Sequence, residues 1–378
     1  MSPRRAEEEL LLAAARVGDA AARRARLAAA LARGADPARL ARLARGHRVV
    51  PLLARAAEEL GEGFPAGGEL RDEARQIGYR NVFLAGELVA VLRRLAAGGV
   101  SALTFKGPAL AVAAYGALAL RQFADLDLLV RPADFAHARE ILLAGGFVVR
   151  QDAWLAVRHL SHEVTFYGHE GRVEIDLHRR ALPRELAAIA PQDLWAAPEL
   201  LELVGETVPT LAPETAALVL AEHAHKHGWL RLAWVADLAH LVAARPDLDW
   251  DRLARLARET GSQRVLAVGL ELAARLLAAP VPRNVARDAA AVILANEIAE
   301  RLFAPRDDEL AGKLEVAGWQ WRGRERWRDR VRYALTPNED DWIVLPLPAP
   351  LFAVYYLIRP LRVAASYGAA RVRRRLRR

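Results

Sequence analysis

The feature that most limits how this chain can fold is a double change of hydrophobic period along its 378 residues. From about Glu7 to Ala97, apolar residues recur every three and four positions in a background of Ala, Leu, Arg and Glu, which is the pattern of amphipathic helices. Helix breakers interrupt it at Gly34 to Pro37 and Gly61 to Gly68. Between Gly98 and Pro209 the pattern changes to short strand-like runs: Val100 to Phe105, Leu126 to Val130, Phe147 to Arg150, Glu163 to Tyr167 and Val173 to Leu177. Helical periodicity returns at Pro213, a residue suited to the first position of a helix, and runs to about Arg332. The expected class is α+β, with a small mixed β-sheet core over residues 98–210. Helical domains over 1–97 and 211–335 flank it, and a Pro-broken apolar segment with a basic tail follows over 336–378. No internal repeat stands out.

Composition removes several classes of function. With 53% hydrophobic and 26% charged residues the chain is globular, and with no cysteine it has neither disulfides nor thiolate zinc sites. Any metal must use oxygen or imidazole ligands. The net charge of +8 is confined to Arg359–Arg378, which holds eight arginines and no acid, leaving 46 basic against 46 acidic residues elsewhere. A neutral body offers no track for a template or long product, so polymerisation is not expected. Glu7, Glu8 and Glu9 sit among arginines near the start with no uninterrupted apolar run, so neither a signal peptide nor a transit peptide is read there, and a cytoplasmic location is expected.

The chemistry concentrates in two segments. Phe105-Lys106-Gly107-Pro108 would carry a strand into a tight turn, with Pro108 opening a helix whose free N–H groups and positive dipole end suit a phosphate. Downstream, in Asp125-Leu126-Asp127-Leu128, strand alternation places Asp125 and Asp127 on one face and the leucines on the other. Two unneutralised carboxylates repel, and Mg²⁺ takes such hard oxygen ligands when it also binds substrate phosphates. In Val173-Glu174-Ile175-Asp176-Leu177-His178, alternation sorts Glu174, Asp176 and His178 to one face. Were that strand to lie beside the first, Asp176 would complete a three-carboxylate, two-metal site. Glu174 and His178 are equally readable as solvated residues.

These residues resemble the polymerase-beta-type nucleotidyltransferase superfamily, and in particular a bacterial branch of largely uncharacterised members, over roughly Gly98 to Val242. The matching motifs are Lys106-Gly107 with Ala109-Leu110, Asp125-Leu126-Asp127-Leu128-Leu129-Val130-Arg131-Pro132, and Asp176-Leu177-His178. The resemblance implies that Asp125, Asp127 and Asp176 hold Mg²⁺ or Mn²⁺, and that Lys106 and Gly107 hold a nucleoside triphosphate. One departure is Pro108, where the superfamily usually has Gly or Ser; without an N–H it removes one phosphate donor. The same branch resembles this chain over Leu218 to Val242. That stretch, read as one helix, places His223, Lys226, His227, Leu230, Trp234 and Asp237 on one broad face closing over the nucleotide, with Lys226 near phosphate.

Alternatives accompany these assignments. His223 and His227 are readable as a hydrogen-bonded interior pair, and the absence of Glu after His223 argues against a zinc motif. Arg121 is a candidate phosphate contact, or a surface arginine in an arginine-rich chain. Function divides the same way. One reading is a metal-dependent transferase placing a nucleoside monophosphate on a hydroxyl-bearing acceptor (small molecule, sugar, peptide, protein or RNA). The other is a non-catalytic relative that binds a nucleotide or anionic polymer. Residues Ile343 to Ile358 are too few and too rich in proline to span a membrane. Leu351 to Leu376 reads as an amphipathic helix with a polybasic end, suited to an anionic membrane surface or nucleic-acid backbone, or as an ordinary docked helix with a frayed end.

Overall fold

The computed structural model describes residues 4–61, 64–149, 161–187, 189–282, 285, 288–304, 309–362 and 364. Five helices open the chain: α1 (Ala6–Ala15), α2 (Ala20–Leu31), α3 (Pro37–Gly46), α4 (Val50–Leu60) and α5 (Gly67–Ala97). Asp19 and Asp36 cap α2 and α3 by accepting from backbone N–H groups two or three residues on. Two further breaks than the glycine and proline clusters mark are present, where Gly18 (φ 86°) and Arg48 (φ 54°) leave right-handed geometry.

Seven strands follow: β1 (Ala102–Thr104), β2 (Asp125–Val130), β3 (Val148–Val149), β4 (Glu163–Gly168), β5 (Val173–His178), β6 (Glu199–Leu203) and β7 (Glu206–Thr210). They form one mixed sheet in the order β3-β4-β5-β2-β1-β7-β6. β2 runs parallel to β5 and antiparallel to β1, while β4 is antiparallel to β5. The β6–β7 hairpin adds two strands to the five expected runs. Its Val204-Gly205 turn has φ of 52° and 78°, positive at both central residues, which matches the twist of a two-residue hairpin. Between the strands lie α6 (Gly107–Tyr115), α7 (Phe135–Ala144) and α8 (Pro191–Trp195).

The chain then continues through α9 (Pro213–Lys226), α10 (Leu232–Ala244), α11 (Trp250–Thr260), α12 (Gln263–Leu277), α13 (Ala289–Arg301), α14 (Glu309–Gly323), α15 (Trp327–Leu335) and α16 (Glu339–Val344). The stretch Leu218 to Val242 is therefore two helices and not one. Gly228 and Trp229 enter left-handed geometry at φ 64° and 55°, which ends α9. Burying the fully covered Trp229 indole favours the break, and His47 caps the restart by accepting the Leu232 N–H at 3.1 Å.

Two cores hold these layers. Leu126, Leu128, Ile175 and Leu177 on one sheet face pack with Leu84 and Leu88 of α5 and Leu142 of α7. The second core joins Leu10, Leu27 and Leu53 of the first helices to Leu218, Val235 and Leu270 of the last. The opposite sheet face, carrying Asp125, Asp127 and Asp176, thus looks toward α9. Beyond α16, residues 355–362 are helical, so part of the Leu351–Leu376 segment is a docked helix; residues 363 and 365–378, with six of the eight arginines of the tail, lie outside the described residues. Among the described residues no helix is long and apolar enough to cross a membrane.

Candidate active site

The site is built by strand register. β2 and β5 pair in parallel with Asp127 opposite Asp176 and Asp125 opposite Glu174, so one pleat brings the carboxylates of two sequence-distant strands to one face. On β4, Thr165 stands opposite Asp176 and Glu163 opposite His178. Asp125, Asp176, Glu163 and His178 line a pocket with Lys106, and His223 and Lys226 of α9, with His227 just past its end, close it from the other side. All the residues singled out for metal and phosphate binding except Asp127, Gly107 and Arg121 line this pocket. Asp127 lies just beneath it, 1% exposed, and is joined to it by contacts with Lys106 and His178.

Lys106 Nζ is 2.5 Å from Asp127 Oδ1, and His178 Nε2 donates to the same oxygen at 3.1 Å. Burial alone would raise the Asp127 carboxyl, but Lys106 and His178 hold it down at about 2. Burial alone would depress Lys106, yet Asp127 and Asp125 leave it raised. His178 is likewise raised against its burial, chiefly by Glu163, whose Oε2 lies 3.1 Å from Nδ1, and by Asp127. Its ring stands between two carboxylates, although Nδ1 lacks hydrogen-bond geometry toward Glu163. Asp176 behaves oppositely. Burial, then the neighbouring Asp127 and Glu163, push its carboxyl up to about 7, despite the Thr165 hydroxyl that donates to it at 2.6 Å.

Gly107 makes the approach of α6 geometrically feasible. Its φ is 49°, and a Cβ there would lie 3.1 Å from the Asp125 carbonyl oxygen, so a side chain would press on the strand that carries two of the acids. Pro108 occupies the first turn of α6. Across the pocket, His223 and His227 meet edge to face at 4.8 Å, and His227 stacks on Trp234 at 5.1 Å. Burial followed by the nearby lysines lowers both imidazoles, His227 to about 3, so both are neutral at physiological pH.

Arg121 and Asp237 are placed differently from their expected positions. Arg121 neither lines the pocket nor lies at the surface: its side chain is 12% exposed, paired with Asp237 and donating to the Gly107 carbonyl at 3.3 Å. Asp237 does not share a face with His223 but is buried on α10, where it also accepts from Tyr115 Oη at 2.7 Å. The loop holding Arg121 is pinned from α5 by Asn81, which donates to the Leu118 and Arg121 carbonyls at 2.7 Å each. Sequence reasoning assigned no role to Glu163, His162 or Thr165. The alternation of Glu163-Val164-Thr165-Phe166 was the available signal, since it puts Glu163 and Thr165 on one face, but its value depends on β4 lying beside β5.

The donor set fits a divalent cation. Ligand atoms of Asp127, Asp176 and His178 lie within 4.8 Å of one another, and those of His162, Glu163 and His178 do likewise. Burial, and then the neighbouring Asp127 and Glu163, raise the Asp176 carboxyl, and hard oxygen ligands of this kind suit Mg²⁺ or Mn²⁺.

A mixed sheet that presents aspartates from two adjacent parallel strands, beside a Lys-Gly turn opening a helix, has the plan of a nucleotidyltransferase. The chain belongs to a family described as uncharacterised nucleotidyltransferase, whose model matches residues 33–278. Among solved structures, the solution structure of an antibiotic-resistance factor, ANT(2'')-Ia, is similar at a TM-score of 0.34 and 14% identity, covering 48% of this chain and 91% of that one. A likeness that distant carries no argument about substrate. No curated protein matches the chain significantly.

Proposed function

We propose that this member of the family is a metal-dependent enzyme that transfers a nucleoside monophosphate from a nucleoside triphosphate to a hydroxyl-bearing acceptor, releasing pyrophosphate. The observation that carries the proposal is the register of Asp127 against Asp176 beneath an open pocket, with the Asp176 carboxyl raised to about 7 by burial and its acidic neighbours. Asp125, Asp127 and Asp176 would hold Mg²⁺ or Mn²⁺, which when bound neutralises phosphate charge and acidifies the attacking hydroxyl. Lys106 and Lys226, on opposite walls, supply positive charge for the phosphates. His178 keeps Asp127 oriented through Nε2, and Thr165 orients Asp176. Neutral His223 and His227 present an aromatic wall on which a base or sugar can rest.

A second reading, a non-catalytic nucleotide binder, is favoured by one observation: the Lys106 ammonium already neutralises Asp127 internally. Calorimetric titration of the four nucleoside triphosphates, with and without Mg²⁺, on wild type and on Asp125→Ala/Asp127→Ala separates the two. Metal-dependent binding abolished by the double substitution supports the enzyme. Binding that needs no metal and survives the substitution supports the binder, and no binding by folded protein removes both.

A further inference from the structure

The last described helix is docked inside out. Helical residues 355–362 turn their polar side inward: Arg359 donates to Asn338 Oδ1 at 2.8 Å and to the Tyr333 carbonyl at 3.3 Å, and Arg362 Nε donates to Asp341 Oδ1 at 2.6 Å. Helical spacing then leaves Tyr356, Leu357 and Leu361 facing away, Leu357 70% and Leu361 71% exposed. Tyr355 Oη, fully buried, donates to the Leu345 carbonyl at 2.7 Å and accepts from the Leu347 N–H at 2.8 Å, which fixes the end of α16 alongside. That end adds exposed Ile343, Val344 and Leu345 to the apolar surface. An exposed ridge of this kind marks a contact with something apolar.

The sequence around the ridge says what covers it. From Trp342 to Arg378 there is no Asp or Glu, and six of the eight residues 371–378 are arginine. A second copy of the chain would bring two such tails together with no acidic residue in the segment to offset them. An anionic bilayer surface accommodates both features: the acyl boundary takes the aliphatic and tyrosine side chains, and the headgroups take the arginines.

We propose that the exposed ridge of Ile343, Val344, Leu345, Tyr356, Leu357 and Leu361, together with the positive charge of the sequence that follows it, seats the protein on an anionic membrane surface. The ridge lies outside residues 33–278, the part of the chain that the family model matches. It stands independently of the reaction the pocket performs.

The test is flotation of the full chain with vesicles of phosphatidylcholine alone or mixed with phosphatidylserine. Binding is expected only with the anionic lipid. It should weaken with added salt, and by about tenfold or more in Leu357→Glu/Leu361→Glu and in a variant with the six arginines of 371–378 changed to Gln. Both variants change exposed or tail residues, so unchanged melting temperatures verify folding. Equal binding to neutral vesicles, no binding by folded wild type, or binding indifferent to both variants overturns the proposal. So does self-association that Leu357→Glu/Leu361→Glu abolishes, or retention of RNA without retention of vesicles.

Discussion

Arg121 and Asp237 are joined by paired hydrogen bonds, Nε to Oδ1 at 2.8 Å and Nη2 to Oδ2 at 2.9 Å, across 116 residues of sequence. The pair ties the loop that enters β2 to α10, and Arg121 reaches on to the Gly107 carbonyl at the start of α6. It therefore fixes the relation between the acid-bearing strand and the Lys-Gly turn without touching the pocket. Removing either partner strands a mostly buried charge, so Arg121→Ala or Asp237→Ala should cost about 3–5 kcal/mol, read from urea unfolding. Unchanged stability with selectively weakened triphosphate binding would instead return Arg121 to the phosphate role expected from the sequence.

Lys106→Met should behave as a charge vacancy beside Asp127. The variant loses stability in metal-free buffer, by about 3 kcal/mol or more, because the buried carboxylate loses its lysine partner and keeps the His178 contact. Saturating Mg²⁺ should recover part of the loss, since the cation supplies the missing positive charge. Thermal melts with and without Mg²⁺ check this, and a variant indifferent to metal would argue against the acids as its ligands.

Gly107→Ala combines a disfavoured φ of 49° with a Cβ 3.1 Å from the Asp125 carbonyl oxygen. It should destabilise by about 1–3 kcal/mol and lower triphosphate affinity by shifting Asp125, whereas Gly116→Ala, with open space at its Cβ, should affect stability alone. Calorimetry on the two variants distinguishes the outcomes.

His225 and His240 are pulled from an ordinary 6.5 to about 4, His225 by burial and then Arg324, His240 by burial and then Arg55. Below pH 6.5 the unfolded chain takes protons that the native sites refuse, so stability is full above that value and falls as pH drops toward 4, by up to about 3 kcal/mol for each site. Asp176 works in the opposite direction. Its carboxyl, raised from 3.8 to about 7, gives stability that is full below 3.8 and lost as pH rises through 7. The histidine contribution is therefore read as a difference: between pH 6.5 and 4, His225→Gln should lose less stability than wild type in urea unfolding. Parallel pH profiles would show that His225 titrates normally.

How much of the site was legible can be traced residue by residue. Strand alternation alone sorted Asp125 and Asp127 from Leu126 and Leu128, and Asp176 from Ile175 and Leu177, because each choice involves only neighbours along one strand. His178, readable equally as solvated, is 2% exposed and bonded to Asp127, a placement that exists only because β5 pairs with β2. Glu163 gains its position from the antiparallel pairing of β4 with β5. The Gly228 break was visible as a residue, but helical periodicity on both sides concealed it until Trp229 had a core to enter.

By itself the sequence determined the succession of helical and strand-forming stretches, the face on which each acid lies, and the confinement of excess charge to Arg359–Arg378, since all are properties of local period and composition. Only the tertiary structure decided that Asp127 faces Asp176, that Arg121 pairs with Asp237, and that Leu357 and Leu361 point outward while Arg359 and Arg362 are docked. Those outcomes depend on which strand or helix becomes the neighbour. That selection balances loop-closure entropy against burial over separations of fifty to more than a hundred residues, and no local pattern encodes it.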